Sequence, residues 1–483
     1  MRDFLLNIAR RFLLPLLLLA GAGWAQTSAP PAPPDSAPAP TQVAPSPEPE
    51  SHITPQQAQE LFRSVDQILR FASQDSGLPI HHPVKRALVS RDQAMKYIVG
   101  RMGSDRDAKR LERSALVLKK FGLLPRNFDL QSFLVKLLRE QVAGYYDPKS
   151  KTVNLLDWVD ADVQKPVLAH ELTHALQDQD SGLERWLKDG PHTQKKDSDV
   201  QDDEAVAARQ AVSEGQAMVV LTDYELAPLG KNILDAPEIV ASMKAGVSSG
   251  SPVFNSAPLY IKESLGFPYT YGLDFERTLL QKRGKQAAFS AVLQHPPLNT
   301  REVMQPDVYL AGEHLMPLHP PKLHKVLGKA WQRVDVGAVG EFDVSVMVEQ
   351  YASEDVARQM WPQWRGGYYY AARQKKGPAD NLALLYLSQW AEPEQATKFA
   401  SIYAQSLKHK YKQVQAVSAT PPEGTQSSAA VQVSIADATA EWTTEDGPVF
   451  VEPHGKFVLV MEGFDPATAA RLRTAVLSAA GAS

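Results

Sequence analysis

The apolar positions of this chain change their period along its length, from helical spacing over most of the first 330 residues to mixed helical and strand-like runs afterwards. Thr54 and Pro55 are typical of a helix start. One face of the helix that follows carries Leu61, Phe62, Val65, Ile68, Leu69 and Ala72. Ser90-Arg91-Asp92-Gln93 forms a capping box. These signals predict that residues 51–143 are helical.

The stretch 145–156 interrupts this helical pattern. Asp147-Pro148 marks a turn between two short strands. Such a hairpin either borders a substrate cleft, where an extended peptide could pair with its edge, or simply caps the core. A second well-marked helix is predicted from about Val163 to Asp180. Pro166 suits its first turn, and Gly182 ends it.

The C-terminal part combines both periods. Helices are predicted over 340–362, 393–410 and 465–480. Strands are predicted at 368–370 and 382–390, and a hairpin at 448–461 turns around Pro453-His454-Gly455. The pattern predicts an α+β region.

The helix that follows the first hairpin contains an HExxH sequence, with His170, Glu171 and His174 in its middle. Histidines at i and i+4 share one helix face, so both imidazoles can reach one metal ion. Zinc prefers such nitrogen ligands and leaves a position open to water when it is catalytic. Glu171 follows the first histidine and can reach that water, so it is the predicted general base. A surface helix with two chance histidines is the alternative. Leu168 and Leu172 argue against it, because they make the helix partly buried.

A third protein ligand must come from elsewhere. Continuation to HExxHxxGxxH would use Asp180, but Gln177 stands where that motif has glycine. Glu214 is a better candidate, because it lies in an apolar helix beside small residues and a buried carboxylate needs a cation. The alternative is an ordinary ion pair of Glu214 with Arg209. Glu204 is the runner-up ligand.

HELTH at 170–174, followed on a later helix by Glu214-Gly215-Gln216-Ala217, resembles the gluzincin clan of zinc metallopeptidases. Gly144-Tyr145-Tyr146-Asp147-Pro148, the segment 170–179 and His295-Pro296-Pro297 together resemble an uncharacterised exported bacterial and archaeal group of that clan. The resemblance covers roughly 130–310. It implies a zincin-like fold and Zn²⁺ held by His170, His174 and Glu214. Met218 stands where the thermolysin branch carries an aspartate, which separates this chain from that branch.

Other polar residues are candidates for supporting roles. Tyr269, Tyr271 or His295 could stabilise the negative charge that develops on a substrate carbonyl. Asp178 could orient a metal ligand. Each of the four is equally compatible with a purely structural role.

The first 25 residues are predicted to be a signal peptide, with basic residues, a short apolar core and small residues at the cleavage point. An uncleaved membrane anchor is the alternative. Residues 26–50 are a Pro/Ala-rich linker. The chain has no cysteine, which excludes disulfides and thiolate ligands, and its net charge of −4 without a basic cluster argues against nucleic acid. No stable membrane span is expected after signal cleavage.

The predicted fold class is therefore α+β. It has a mostly helical, zincin-like catalytic domain with a strand hairpin before the HExxH helix, and a C-terminal α+β accessory domain. The predicted domains are 51–328, with a helical part 51–143 and an active-site core 144–310, and 329–483. The predicted function is an exported, secreted or periplasmic zinc peptidase that cleaves a peptide or protein substrate. A zinc-binding envelope or scaffold protein without turnover, and a zinc hydrolase of a non-peptide bond, are the alternatives.

Overall fold

The computed structural model describes residues 52–102, 105–142, 144–188, 203–248, 251–377, 381–417 and 440–480. The predicted signal peptide and linker lie outside these ranges. No helix within them combines the length and the apolar character needed to cross a bilayer.

Helices that bury one apolar face form the N-terminal region. The first helix begins with a capping box, in which the Gln57 N–H donates to Thr54 Oγ1 and the Thr54 N–H donates to Gln57 Oε1. The predicted box at Ser90 is confirmed, because the Ser90 N–H donates to Gln93 Oε1 at 2.9 Å. The helices are α1 (Pro55–Ser76), α2 (Arg91–Met102), α3 (Asp105–Phe121) and α4 (Leu130–Gln141).

A three-stranded sheet lies beside these helices. Its strands are β1 (Lys85–Val89), β2 (Tyr145–Asp147) and β3 (Thr152–Leu156). The order is β1-β3-β2, with β3 parallel to β1 and antiparallel to β2. The prediction that 51–143 is wholly helical is wrong at β1. None of the five residues of β1 is buried, so the strand has no alternating pattern and depends on its pairing with β3.

The middle of the chain is again helical. Its elements are α5 (Ala161–Ser181), α6 (Leu183–Trp186), α7 (Asp203–Leu226), α8 (Pro237–Ser248), α9 (Pro252–Asn255), α10 (Leu259–Arg283), a π-helical turn (Ala287–Ala291), α11 (Val292–Gln294), α12 (Thr300–Met304), α13 (Pro306–Ala311) and α14 (Leu323–Leu327), with 3₁₀ turns at Ala227–Leu229 and Ile233–Asp235.

Helix α5 is the predicted HExxH helix and confirms its predicted limits to within about two residues. Its N-cap Asp160 accepts a hydrogen bond from the Asp162 N–H, and Gly182 ends it in the left-handed conformation at φ 67°. Helix α7 packs between α5 and α10. A Cβ atom on Gly215 of α7 would overlap the carbonyl oxygen of Gly272 on α10, so glycine permits this close approach.

The C-terminal region contains a seven-stranded antiparallel sheet in the order β4-β5-β6-β10-β9-β8-β7. The predicted strands and the helices over 393–410 and 465–480 are confirmed, and β4, β7 and β8 are additional. The single helix predicted over 340–362 is instead two helices and a 3₁₀ turn, because the helical pattern breaks at Ala352 and Ser353 caps a new helix. The strands are β4 (Trp331–Ala338), β5 (Trp364–Gln374), β6 (Ala383–Trp390), β7 (Val414–Ala416), β8 (Ala440–Thr444), β9 (Gly447–His454) and β10 (Phe457–Glu462). The helices are α15 (Glu341–Tyr351), α16 (Glu354–Met360), α17 (Pro393–Lys410) and α18 (Pro466–Ala480), with a 3₁₀ turn at Trp361–Gln363.

One continuous apolar cluster joins the helical region to one face of the large sheet, and includes Val65, Leu172, Val219, Tyr386 and Val460. A smaller cluster covers the other sheet face with α14 and α18. The α+β fold class is confirmed, and the domain boundary at 328 stays a prediction. The large core contains residues from both sides of that boundary, and the HExxH helix α5 belongs to it.

Candidate metal centre

Helices α5 and α7 bring the three predicted ligands together. The Nε2 atoms of His170 and His174 lie 3.1 Å apart. Glu214 Oε2 lies 3.2 Å from His170 Nε2 and 3.4 Å from His174 Nε2. One ligand atom from each residue lies within 4.8 Å of the other two, and all three residues are buried. This group could hold a metal ion.

The surroundings of Glu214 fit a cation. Its side chain is fully buried, and neither carboxylate oxygen has a hydrogen-bond donor among the described residues. Burial raises the pKa of Glu214, but the facing His174 and His170 outweigh burial and hold that pKa at about 2. A buried anion without donors is costly unless a positive charge meets it. A metal ion between the three side chains would supply that charge.

A chain of glutamines orients His174. Its Nδ1 lies 2.9 Å from Gln177 Oε1, which fixes Nδ1 as the protonated nitrogen and leaves Nε2 to bind a metal. Gln177 Nε2 donates to Gln216 Oε1 at 2.9 Å, and Gln216 Nε2 donates to the carbonyl oxygens of Ala288 and Phe289 in the π-helical turn. Sequence reasoning treated Gln177 only as a departure from a glycine motif and missed this network. The sequence signal for this network is that Gln177 and Gln216 stand among apolar residues on their helices.

Strand β2 contacts the proposed general base. The Tyr146 N–H donates to Glu171 Oε2 at 2.7 Å. Glu171 is 6% exposed. Burial raises the pKa of Glu171 above its usual range, while His170 and His174 act in the opposite direction. The hydrogen bond fixes one carboxylate oxygen of Glu171, next to the two histidines.

Asp178 ties the same hairpin to α5. Its Oδ2 accepts hydrogen bonds from Tyr146 Oη at 2.8 Å and from Lys151 Nζ at 2.6 Å, and its Oδ1 accepts from the Leu183 N–H at 3.1 Å. Lys151 stands in the hairpin turn with φ 57°. Asp178 therefore contacts the strand that holds Glu171, and its predicted role at a metal ligand stays a prediction.

The alternatives for the third ligand are engaged elsewhere. Glu204 Oε2 accepts from the N–H and Oγ1 of Thr300 at 3.0 and 2.6 Å. Asp180 is exposed. The Arg209 guanidinium lies over the ring of Trp186, 5.7 Å from its centroid.

The three oxyanion candidates lie on α10 and at the end of α11. Tyr269 is buried. Tyr271 packs against Phe267, and burial together with Glu263 raises the pKa of Tyr271 to about 12. His295 is exposed, and its carbonyl oxygen accepts from Tyr309 Oη at 2.7 Å. Their predicted roles at a substrate carbonyl stay predictions.

No protein-family model matches this chain, and no curated protein matches it. A solved structure from Chloroflexus aurantiacus, described as a candidate hydrolase with a novel fold, is similar at 15% identity with a TM-score of 0.32. The similarity covers 54% of this chain and 90% of that one. A similarity this low carries no functional argument, so the case for function depends on the geometry of the His170, His174 and Glu214 group.

Proposed function

We propose that this protein is a zinc-dependent peptidase. The observation that carries the proposal is the convergence of two imidazoles and one carboxylate beside an additional glutamate, Glu171. Two nitrogens and one oxygen suit zinc, and three protein ligands are the usual number when the fourth position serves catalysis. A purely structural site has no need of Glu171.

His170, His174 and Glu214 would hold the ion. Bound zinc supplies Lewis acidity, which polarises a substrate carbonyl and acidifies water. Glu171 accepts the proton of the attacking water and delivers it to the leaving amine. The Tyr146 N–H keeps one oxygen of Glu171 in place, so the other oxygen is the one that takes the proton. The raised pKa of Glu171 brings it closer to neutral pH, where proton transfer in both directions is efficient.

Strand β2 gives the proposal a substrate class. It lies at an edge of the three-stranded sheet, and it touches Glu171. Strand edges are where extended peptides pair, so we propose a peptide or protein substrate that reaches Glu171 at this edge of the sheet. The residues of β2 itself are buried. The signal-like first 25 residues support action outside the cytoplasm, in a secreted or periplasmic protein.

A second candidate function has its own supporting observation. His170, His174 and Glu214 are 1%, 4% and 0% exposed, and such closure is typical of structural zinc sites. A zinc-binding scaffold without turnover would have this burial. A zinc hydrolase of another bond would share the ligands and differ in substrate.

Glu171→Gln separates these functions. We expect the variant to retain zinc and to lose about 10²- to 10⁴-fold in turnover of a mixed peptide library, because the amide cannot accept a proton. Glu60→Gln, an exposed change on α1, is the matched control and should cleave like the wild type. Metal content is measured alongside by elemental analysis.

Each outcome is decisive. A wild type that is fully loaded with zinc and cleaves no peptide would favour the scaffold. Cleavage of an ester or amide panel without peptide cleavage would favour the other hydrolase. A Glu171→Gln variant as active as the wild type would contradict the assigned mechanism.

A further inference from the structure

A cavity of about 510 Å³ lies among α7, α10, the π-helical turn and α13. None of His170, Glu171, His174 or Glu214 lines it. Its wall contains four basic residues and no aspartate or glutamate, and apart from Tyr309 the other residues are apolar. The basic residues are Arg209, Arg283, His295 and His314.

Two of these basic side chains line the cavity without a polar partner in the part of the chain that the structure describes. Among the described residues, the Arg283 guanidinium and the His295 imidazole make no hydrogen bond or ion pair. His314 Nδ1 lies 3.1 Å from a Glu302 carboxylate oxygen, so a buried acid offsets its charge when it is protonated. Arg209 lies over Trp186. The positive charge that the cavity offers to a ligand therefore comes mainly from Arg283.

The nearest other acids do not cancel this charge. Asp307 is paired with Lys282. Glu276 does not line the cavity, and burial raises the pKa of Glu276 well above its usual range, which disfavours its charged form. A concave site with net positive charge and apolar walls favours an anion that carries an organic part.

We propose that this cavity binds a small molecule bearing a carboxylate or phosphate group. The arginines would contact the anionic group, because the planar guanidinium matches both oxyanions. Leu279, Leu298 and Leu310 would contact the rest of the molecule. The volume lies within the usual range of ligand pockets, about 300–1,000 Å³.

The cavity is also connected to the metal centre. Ala287 and Ala291 of the π-helical turn line it. The neighbouring carbonyls of Ala288 and Phe289 accept from Gln216, which leads through Gln177 to His174. π-helical turns are rare and are frequently found at functional sites. A ligand in the cavity therefore contacts the segment that anchors the histidine network.

Calorimetric titration of the full chain tests the proposal. Inorganic phosphate and succinate are the two probes, each against sodium chloride at matched ionic strength, and their relative affinities separate a phosphate ligand from a carboxylate ligand. We expect Arg283→Ala to weaken binding of the better probe about 10- to 100-fold, the scale of a lost hydrogen bond to a charged group. His295→Gln, a second variant at the exposed rim, should weaken it less.

Lys282→Ala is the control, because it removes a neighbouring positive charge from the same helix without altering the cavity wall. The titration is repeated with Glu171→Gln protein, in which binding should be unchanged, so the result does not depend on peptidase activity. Absence of binding by both probes would overturn the proposal. An equal loss of affinity in Lys282→Ala and Arg283→Ala would also overturn the proposal, because it would show that the probes respond to the net positive charge of the region and not to the cavity.

Discussion

Two fully buried glutamates in this protein have opposite surroundings. Glu462 on β10 receives hydrogen bonds from Lys410 Nζ, Tyr411 Oη and Tyr403 Oη, and Lys120 Nζ lies 4.0 Å away. Glu214 on α7 receives none from the described residues and faces only imidazole nitrogens. Both carboxylates have lowered pKa values, but lysines lower that of Glu462, whereas among the described residues Glu214 faces the two histidines and no lysine or arginine.

The comparison shows how a structural carboxylate differs from one that serves a ligand. Burial alone would raise the pKa of Glu462, and Lys410 and Lys120 hold that pKa below its usual range. The pair is complete, so its role is to hold α17 against the sheet. Glu214 has no lysine or arginine partner among the described residues, and the two histidines that face it are themselves possible metal ligands, so a metal ion fits as its partner. Glu276 is a third case, in which burial raises the pKa well above its usual range and so favours the protonated form.

The largest expected effect is on metal binding. Glu214→Gln should weaken zinc binding by more than about 100-fold, because a neutral amide replaces an anionic ligand. Loss of a residue that only hydrogen-bonds to a ligand typically weakens metal binding about 10- to 100-fold. Competition with a chromogenic chelator measures the affinity. Glu462→Gln is the opposite case, in which zinc affinity stays constant and unfolding stability falls by about 3–5 kcal/mol, because Lys410 is left buried and unpaired.

The control for the ligand assignment is Glu204→Gln, which removes a negative charge but leaves an oxygen that can accept from Thr300, and it should leave zinc affinity unchanged. If Glu204→Gln lost the metal and Glu214→Gln kept it, the contrast between Glu214 and Glu462 would have no functional meaning.

A smaller effect is expected at the hairpin. Asp178→Asn should lower kcat about 10-fold or more, the lower end for outer-shell changes, because Lys151 loses its ion pair and Tyr146 shifts relative to Glu171. Zinc content and KM should change little. Asp162→Asn on the exposed start of α5 is the matched control. An Asp178→Asn enzyme with normal kcat would show that the hairpin keeps Glu171 in place without this carboxylate.

The smallest effect concerns a carboxyl pair, Asp75 at the end of α1 and Asp223 on α7. Burial raises the pKa of Asp75 to about 6 and that of Asp223 to about 7. Both exceed the unfolded value of about 4, so the folded state binds more protons. Stability from this pair is therefore full below pH 4 and declines as pH rises through 6–7.

Asp223→Asn removes the contribution of Asp223 to this dependence, and its side-chain oxygen can still accept from the Ile233 N–H. Relative to the wild type, the variant should gain on the order of 1 kcal/mol between pH 5 and pH 8, a value reduced for partial exposure. Urea unfolding at the two pH values measures it. A variant whose loss of stability over this interval equals that of the wild type would contradict the raised pKa values.

The residues that sequence reasoning located have local signals. His170, Glu171 and His174 are defined by one helical turn, and Glu214 stands out as a carboxylate in an apolar helix. Gln177 contacts His174 within one helical turn, but the other links, made by Gln216 and Tyr146, join residues that are 25 to 73 positions apart, and no local pattern encodes such pairs. The same holds for β1, whose residues alternate in neither polarity nor burial. At these residues, contacts between segments that are distant in sequence determine the structure.

The glycine contact between α7 and α10 has a consequence for metal selectivity. Gly215 follows Glu214 directly and sits against the backbone of Gly272, so the depth at which α7 settles sets where the ligand oxygen stands. Zinc–oxygen bonds vary by only about 0.2 Å, less than the displacement that one added methyl group would impose. The two glycines thus set the spacing between α7 and α10, and with it the position of the Glu214 carboxylate. Through that position they would determine which ion radius suits the three ligands, although neither glycine would contact the ion.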